Sequence, residues 1–158
     1  MAVSLVLLLA LLIGIVCGLR SLTGPALVCW AAHLGWLNLA GSHLSFLANV
    51  ISVSVFSLLA VGELIADKTP KIPRRTSPMP LAIRIVLGGL CGAAFAIAGS
   101  APVWMGCLLG GLGGVFGAYG GFFARRAATA EGKLPDLPVA LFEDLIAVGG
   151  GLLLVSRF

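Results

Sequence analysis

Eight side chains in this sequence could do chemistry: Arg20, Ser21, Thr23, Glu63, Asp67, Arg84, Glu143 and Asp144. Each lies within about two turns of the end of a long apolar run, and all could lie just beneath one surface of a bilayer. Glu63 and Asp67 are four residues apart and share one helix face, with Asp67 nearer the water. Arginines beside carboxylates at that depth suit the capture of a small ion or an anionic ligand. A protonatable Glu63 or Glu143 could couple that capture to proton movement. Metal chemistry is less well served. Of the six carboxylates, Glu63, Asp67, Glu143 and Asp144 are the ones a metal would use, and they do not form a spaced multi-aspartate motif. No histidine or serine stands beside a base as a nucleophile would, so an enzyme is not the leading expectation. His33 and His43 read as packing or interfacial residues, and no cofactor is expected.

The elements that must hold these groups are membrane helices. Only 10% of the 158 residues are charged and the mean hydropathy is +1.12, far from the charge content of soluble domains. The expected fold class is an all-α integral membrane protein, a single domain over residues 1–158 with six helical segments. Its halves, 1–67 and 81–158, are joined by a proline-rich loop at 68–80 carrying Lys68, Lys71, Arg74 and Arg75. Pro70, Pro73, Pro78 and Pro80 forbid a helix from running through that stretch. The start of the chain, with no basic region before residues 5–16 and no small-residue cleavage site, reads as a retained helix. Cys17, Cys29, Cys91 and Cys107 all fall in apolar runs and read as buried thiols.

The six runs are residues 3–17, 26–39, 44–66, 81–99, 103–124 and 139–156. The first stops at Gly18-Leu19-Arg20-Ser21-Leu22-Thr23-Gly24-Pro25, a helix break followed by a start signal with Ser21 or Thr23 as N-cap. The second is short enough either to cross a thinned region or to be re-entrant, which would leave five crossings. The third is long enough to span outright. In the fifth, Gly106, Gly110, Gly113, Gly117 and Gly120 recur at alternating steps of four and three and continue to Ala124. That is a seam without side chains for close helix contact, with Gly88 and Gly92, and Gly149 to Gly151, as expected partners. Such a seam serves a homodimer as readily as a monomer.

With six crossings, nine of the ten basic residues fall on one side and only Arg157 on the other. The positive-inside bias makes that side cytoplasmic, and Trp36 and Trp104 then share the opposite interface. The net charge of +4 is thereby explained without a nucleic-acid partner. Glu63, Arg84, Glu143 and Asp144 come to a similar depth, roughly 6–9 Å inside the cytoplasmic face, with Arg20 close to the same level. A pocket of arginines and carboxylates open to the cytoplasm follows.

Gly18-Leu19-Arg20 with Pro25, followed by Glu63-x-x-x-Asp67-Lys68-x-Pro70-x-x-Pro73-x-Arg75, resembles a family of small bacterial membrane proteins of unknown function, the family numbered forty-one twenty-six. The resemblance covers most of the chain. It implies a compact helical membrane domain, in a bacterial setting the multi-pass inner membrane, and no particular activity.

Three functional readings follow. The first is a transporter- or channel-like protein for a small ion or solute, its opposed three-segment halves laid out as in an inverted repeat. The second is a protein that binds or processes a lipid head-group phosphate. The third is a structural membrane protein whose charges, Arg84 with Glu63 and Arg20 with Glu143 or Asp144, are ion pairs pinning helices together.

Overall fold

The computed structural model describes residues 1–66, 77–131 and 135–158. Asp67, Lys68, Lys71, Arg74, Arg75 and Lys133 lie outside the described residues. Among the described residues there are six α-helices and no strand. They are α1 Val3–Leu19, α2 Thr23–His33, α3 Val50–Ala66, α4 Pro78–Ala98, α5 Val103–Arg126 and α6 Asp136–Val155. The helices α4, α5 and α6 are long and apolar enough to cross a membrane, while α1 and α3 are apolar but shorter. At 17 residues each, α1 and α3 are about 26 Å long, at the lower limit for a span. The chain is an all-helical integral membrane protein.

Several helix ends differ from the sequence reading, each for a local reason. Helix α4 starts at Pro78 rather than at residue 81, so the end of the proline-rich stretch is helical. Pro78 and Pro80 fit the first turn because amides there have no intrahelical acceptor to lose. The run 44–66 is not one helix. A 3₁₀ turn, Ser45–Ala48, precedes α3, and Asn49 between them is extended. The Asn49 Oδ1 accepts the Ile51 amide at 3.0 Å, capping α3 from inside the expected run. Helix α2 has only 11 residues, about 17 Å, and its N-cap position is Leu22, not Ser21 or Thr23.

The core of the bundle is the trio α1, α4 and α5. It is assembled on backbone, not on side chains. A methyl group at Gly18 would come within 2.5 Å of the Gly114 carbonyl and 2.6 Å of the Gly117 Cα. Gly14 and Gly88 both press on Gly110, and Gly92 presses on Gly106. The seam of α5 is therefore used by two partners, α4 at its start and α1 further along. Gly88 and Gly92 are partners as expected. Gly149 and Gly150 are not, having nothing within reach of an added Cβ, and Gly151 meets Leu27 of α2. The seam also ends earlier than its spacing suggests, since Gly120 faces open space. Neighbours at 3.6-residue steps rotate slowly off a straight partner, so a regular glycine pattern outruns the contact it serves.

The remaining helices wrap this trio. Helix α6 lies across α1 and α2, and α3 packs mainly on α2 and the 3₁₀ turn. Residues 34–49 fold back over the core with Leu37, Leu39 and Leu47 buried. His33 Nδ1 lies 3.0 Å from the Ala48 carbonyl, fastening this segment to the end of α2, and Trp30 donates to Ser57 at 2.9 Å. Cys17, Cys29 and Cys91 are buried as read, with Cys17 and Cys91 Sγ atoms 3.7 Å apart, whereas Cys107 is exposed.

Contacts fix the direction of every helix. Cys17 meets Gly24, Ser21 meets Glu63 while Trp30 meets Ser57, Gly88 meets Gly110, and Val16 meets Gly151. Successive helices alternate, so α3 returns to the end where α1 finished and a re-entrant second segment is not formed. The other end gathers Val6, Gly99 and the tilted ring pair of Phe95 and Phe158. The two halves run in opposite senses but are built differently. Helix α2 is less than half the length of α5, and α4 and α5 touch along their glycines whereas α1 and α2 meet only at their turn.

In a cysteine-free variant, Arg126→Cys and Ser100→Cys, both at exposed positions, should react with a membrane-impermeant maleimide from opposite faces of sealed vesicles. Labelling of both from one face would refute the alternating path.

Candidate functional site

The break between α1 and α2 is the hub of the charged layer. Arg20 closes α1 in an extended conformation, which releases the chain from the helix and turns its side chain into the bundle. The guanidinium is fully buried and pairs with Asp144 of α6. A charge at that depth is tolerable only with such a partner. The carbonyls that α1 leaves unpaired at its end are met by Arg84 of α4, itself 4% exposed. Its Nη1 donates to the Gly18 carbonyl and, at 3.1 Å, to the Leu19 carbonyl. A cation thus sits on the negative end of α1.

The start of α2 is served by the opposite charge. No side chain of its own turn caps it. Instead Glu63 of α3 accepts the Ser21 amide at Oε1 and the Leu22 amide at Oε2, both at 2.8 Å. Glu63 Oε1 also lies 4.0 Å from Arg84 Nη2. The carboxylate occupies the place at a helix N-terminus where a free anion would bind. Helices α3, α4 and α6 therefore each send one charged side chain to the same break.

The sequence-predicted residues fall into two groups. Arg20, Ser21, Glu63, Arg84 and Asp144 are brought together, Ser21 through its backbone. Thr23 is beside them at the first position of α2, 4% exposed, and its hydroxyl has no hydrogen-bond partner among the described residues. Glu143 belongs to a second pair, 3.9 Å from Arg125 at the end of α5. Arg125 was legible only as a charge that ends a helix, and nothing in its spacing ties it to Glu143. The carbonyls of Gly18 and Leu19 were not candidates, because a backbone acceptor leaves no compositional mark. Among the described residues no three His, Cys, Asp or Glu side chains gather as a metal site would need.

The arrangement is a matched set of carboxylates, guanidiniums and backbone groups around the break between α1 and α2. Searches of curated proteins and of solved structures found no match to the chain. The family profile described as Domain of unknown function (DUF4126) matches residues 7–156. With that match running through all six helices, the chain belongs to the DUF4126 family.

Proposed function

We propose that this is a small transporter- or channel-like membrane protein whose charged layer binds a small ion or solute from the side carrying Arg20, Arg84, Arg125 and Arg126. The observation that carries the reading is the Glu63 carboxylate on the Ser21 and Leu22 amides, at a helix break within the membrane domain. Helix N-termini that take up anionic groups within a membrane domain are how many transporters build sites inside a bilayer. Glu63 acts there as an exchangeable anion. Protonation, or displacement by an anionic ligand, removes the charge that holds α3 against α2. The buried Thr23 hydroxyl gives the break one further polar group for a ligand to satisfy. The arginine-rich end faces the cytoplasm by the positive-inside rule, and the bacterial inner membrane is the corresponding location.

A second reading, ion pairs that only pin helices, is favoured by the pairing of Arg20 with Asp144 and of Arg84 with the end of α1. Glu63→Gln separates the two. Gln keeps an acceptor for one amide and loses the charge. For a transporter the variant stays folded, with Tm within a few degrees of the parent, while pH-gradient-driven uptake into proteoliposomes drops at least tenfold. A large loss of Tm, with no ligand of a small-anion panel shifting the melting of the parent, would leave the pinning role alone.

A further inference from the structure

Between the end of α5 and the start of α6 the bundle is open. The two helices touch little, and a cavity of about 290 Å³ lies between them. Gly121 and Ala124 of α5 face Phe142 and Ile146 of α6, with Leu19 at the back. Nearly all of this wall is hydrocarbon. Arg125 and Glu143, 3.9 Å apart, also line it, and Arg126, next in the chain, is exposed and forms no ion pair among the described residues. The cavity thus combines an apolar slot along the helices with a rim made by Arg125 and Glu143, and Arg126 beside it in the chain brings the three side chains to one net positive charge.

We infer that this crevice is a binding site for an anionic phospholipid, one acyl chain lying between α5 and α6 and the phosphate at Arg125 and Arg126. Three features on the same spot select that occupant. The slot opens in the last two turns of a membrane-crossing helix, where the neighbouring medium is lipid. Its small residues on one wall and large ones on the other leave room for a flexible chain and nothing for a polar solute to bond. Its rim is the last turn of α5, where the apolar run gives way to Arg125 and Arg126, and guanidiniums there favour phosphate. Glu143 stays on Arg125 and opposes a second negative charge, so a singly charged head group fits best. The site is separate from the Glu63 latch and does not depend on the transport reading.

The test uses bromine quenching of tryptophan. Trp30, Trp36 and Trp104 are replaced by Phe, and Val139→Trp, half-buried on the crevice wall, then places a single reporter in the crevice. In a second variant Leu153→Trp, on the exposed face of α6, reports ordinary lipid contact. The variants are reconstituted in phosphatidylcholine with increasing dibrominated phosphatidylglycerol, and in the converse mixture. One basic residue near the surface is worth about 1 kcal/mol toward an anionic lipid, so the crevice reporter should show roughly fivefold preference for phosphatidylglycerol, against about one for the surface reporter. Arg125→Gln with Arg126→Gln should bring the crevice reporter to the value of the surface one. Ala124→Phe should remove quenching in the crevice by filling the slot. Should Val139→Trp fail to fold, Ile146→Trp reads the same crevice. Equal preference at the two reporters, no quenching in the crevice, or a preference that survives loss of both arginines would each overturn the proposal.

Discussion

Asp144→Ala will destabilise the protein by about 3–5 kcal/mol, because it leaves the fully buried Arg20 guanidinium without its carboxylate. The effect should appear as a large loss of Tm in detergent and as poor recovery from the membrane. Arg20→Met with Asp144→Leu together should restore most of the stability, since apolar groups of similar volume remove both charges at once. Glu143→Gln, which loosens a 3.9 Å pair with the partly exposed Arg125, should cost about 1 kcal/mol or less. Equal Tm for Asp144→Ala and Glu143→Gln would contradict the assignment of Arg20 and Asp144 as the buried pair. The double variant also bears on function. If it folds yet loses uptake, the pair holds a conformation that transport needs.

A second large effect is expected in the glycine core. A methyl group on Gly110 would run into the Gly88 carbonyl and the Gly92 Cα, both of α4. Gly110→Ala must push two helices apart, and because backbone cannot swing aside as a side chain does, the cost should reach about 3 kcal/mol, the upper end for overpacking. Gly110→Leu should prevent assembly of a monodisperse protein. Gly120→Ala, further along the same pattern, meets nothing and should stay within about 0.5 kcal/mol of the parent, read by Tm and by size-exclusion profile. If Gly120→Ala were as damaging as Gly110→Ala, the seam would serve a second copy of the chain at its far end, and the trio of α1, α4 and α5 would not be its whole use.

The two expected results mark where the residue order was informative and where it was not. Arg20, Arg84, Glu63 and Asp144 could be placed in one layer from the lengths of the apolar runs, because depth in a bilayer follows directly from counting residues at a fixed rise. Arg84 could be paired with Glu63 from the sequence, but which acid met Arg20 could not be read. Arg20 had Glu143 and Asp144 as neighbouring choices one residue apart, and a helix turns about 100° between them, so the choice depended on how α6 is rotated against α1. The α5 seam shows the same division. Its glycines announced close packing, yet the partner at its middle is α1 through Gly14 and Gly18, two glycines too sparse in the first run to stand out. Helix α3 was misjudged in length because Asn49 and Ser52 bond to local backbone, a competition with the helix that hydropathy does not register.

Apolar run lengths, the positions of charge and the glycine spacing by themselves determined a helical membrane protein and the layer of it that holds the ionisable groups. Each of these is set along one dimension by the energetics of burying charge and backbone in hydrocarbon. Only the tertiary structure decided that the Glu63 carboxylate fills the N-terminus of α2, that Arg84 closes α1, and that α5 and α6 part to leave a lined crevice. Those outcomes depend on the rotation and offset of helices far apart in the chain, and in lipid such choices rest on close contact and hydrogen bonding rather than on hydrophobicity.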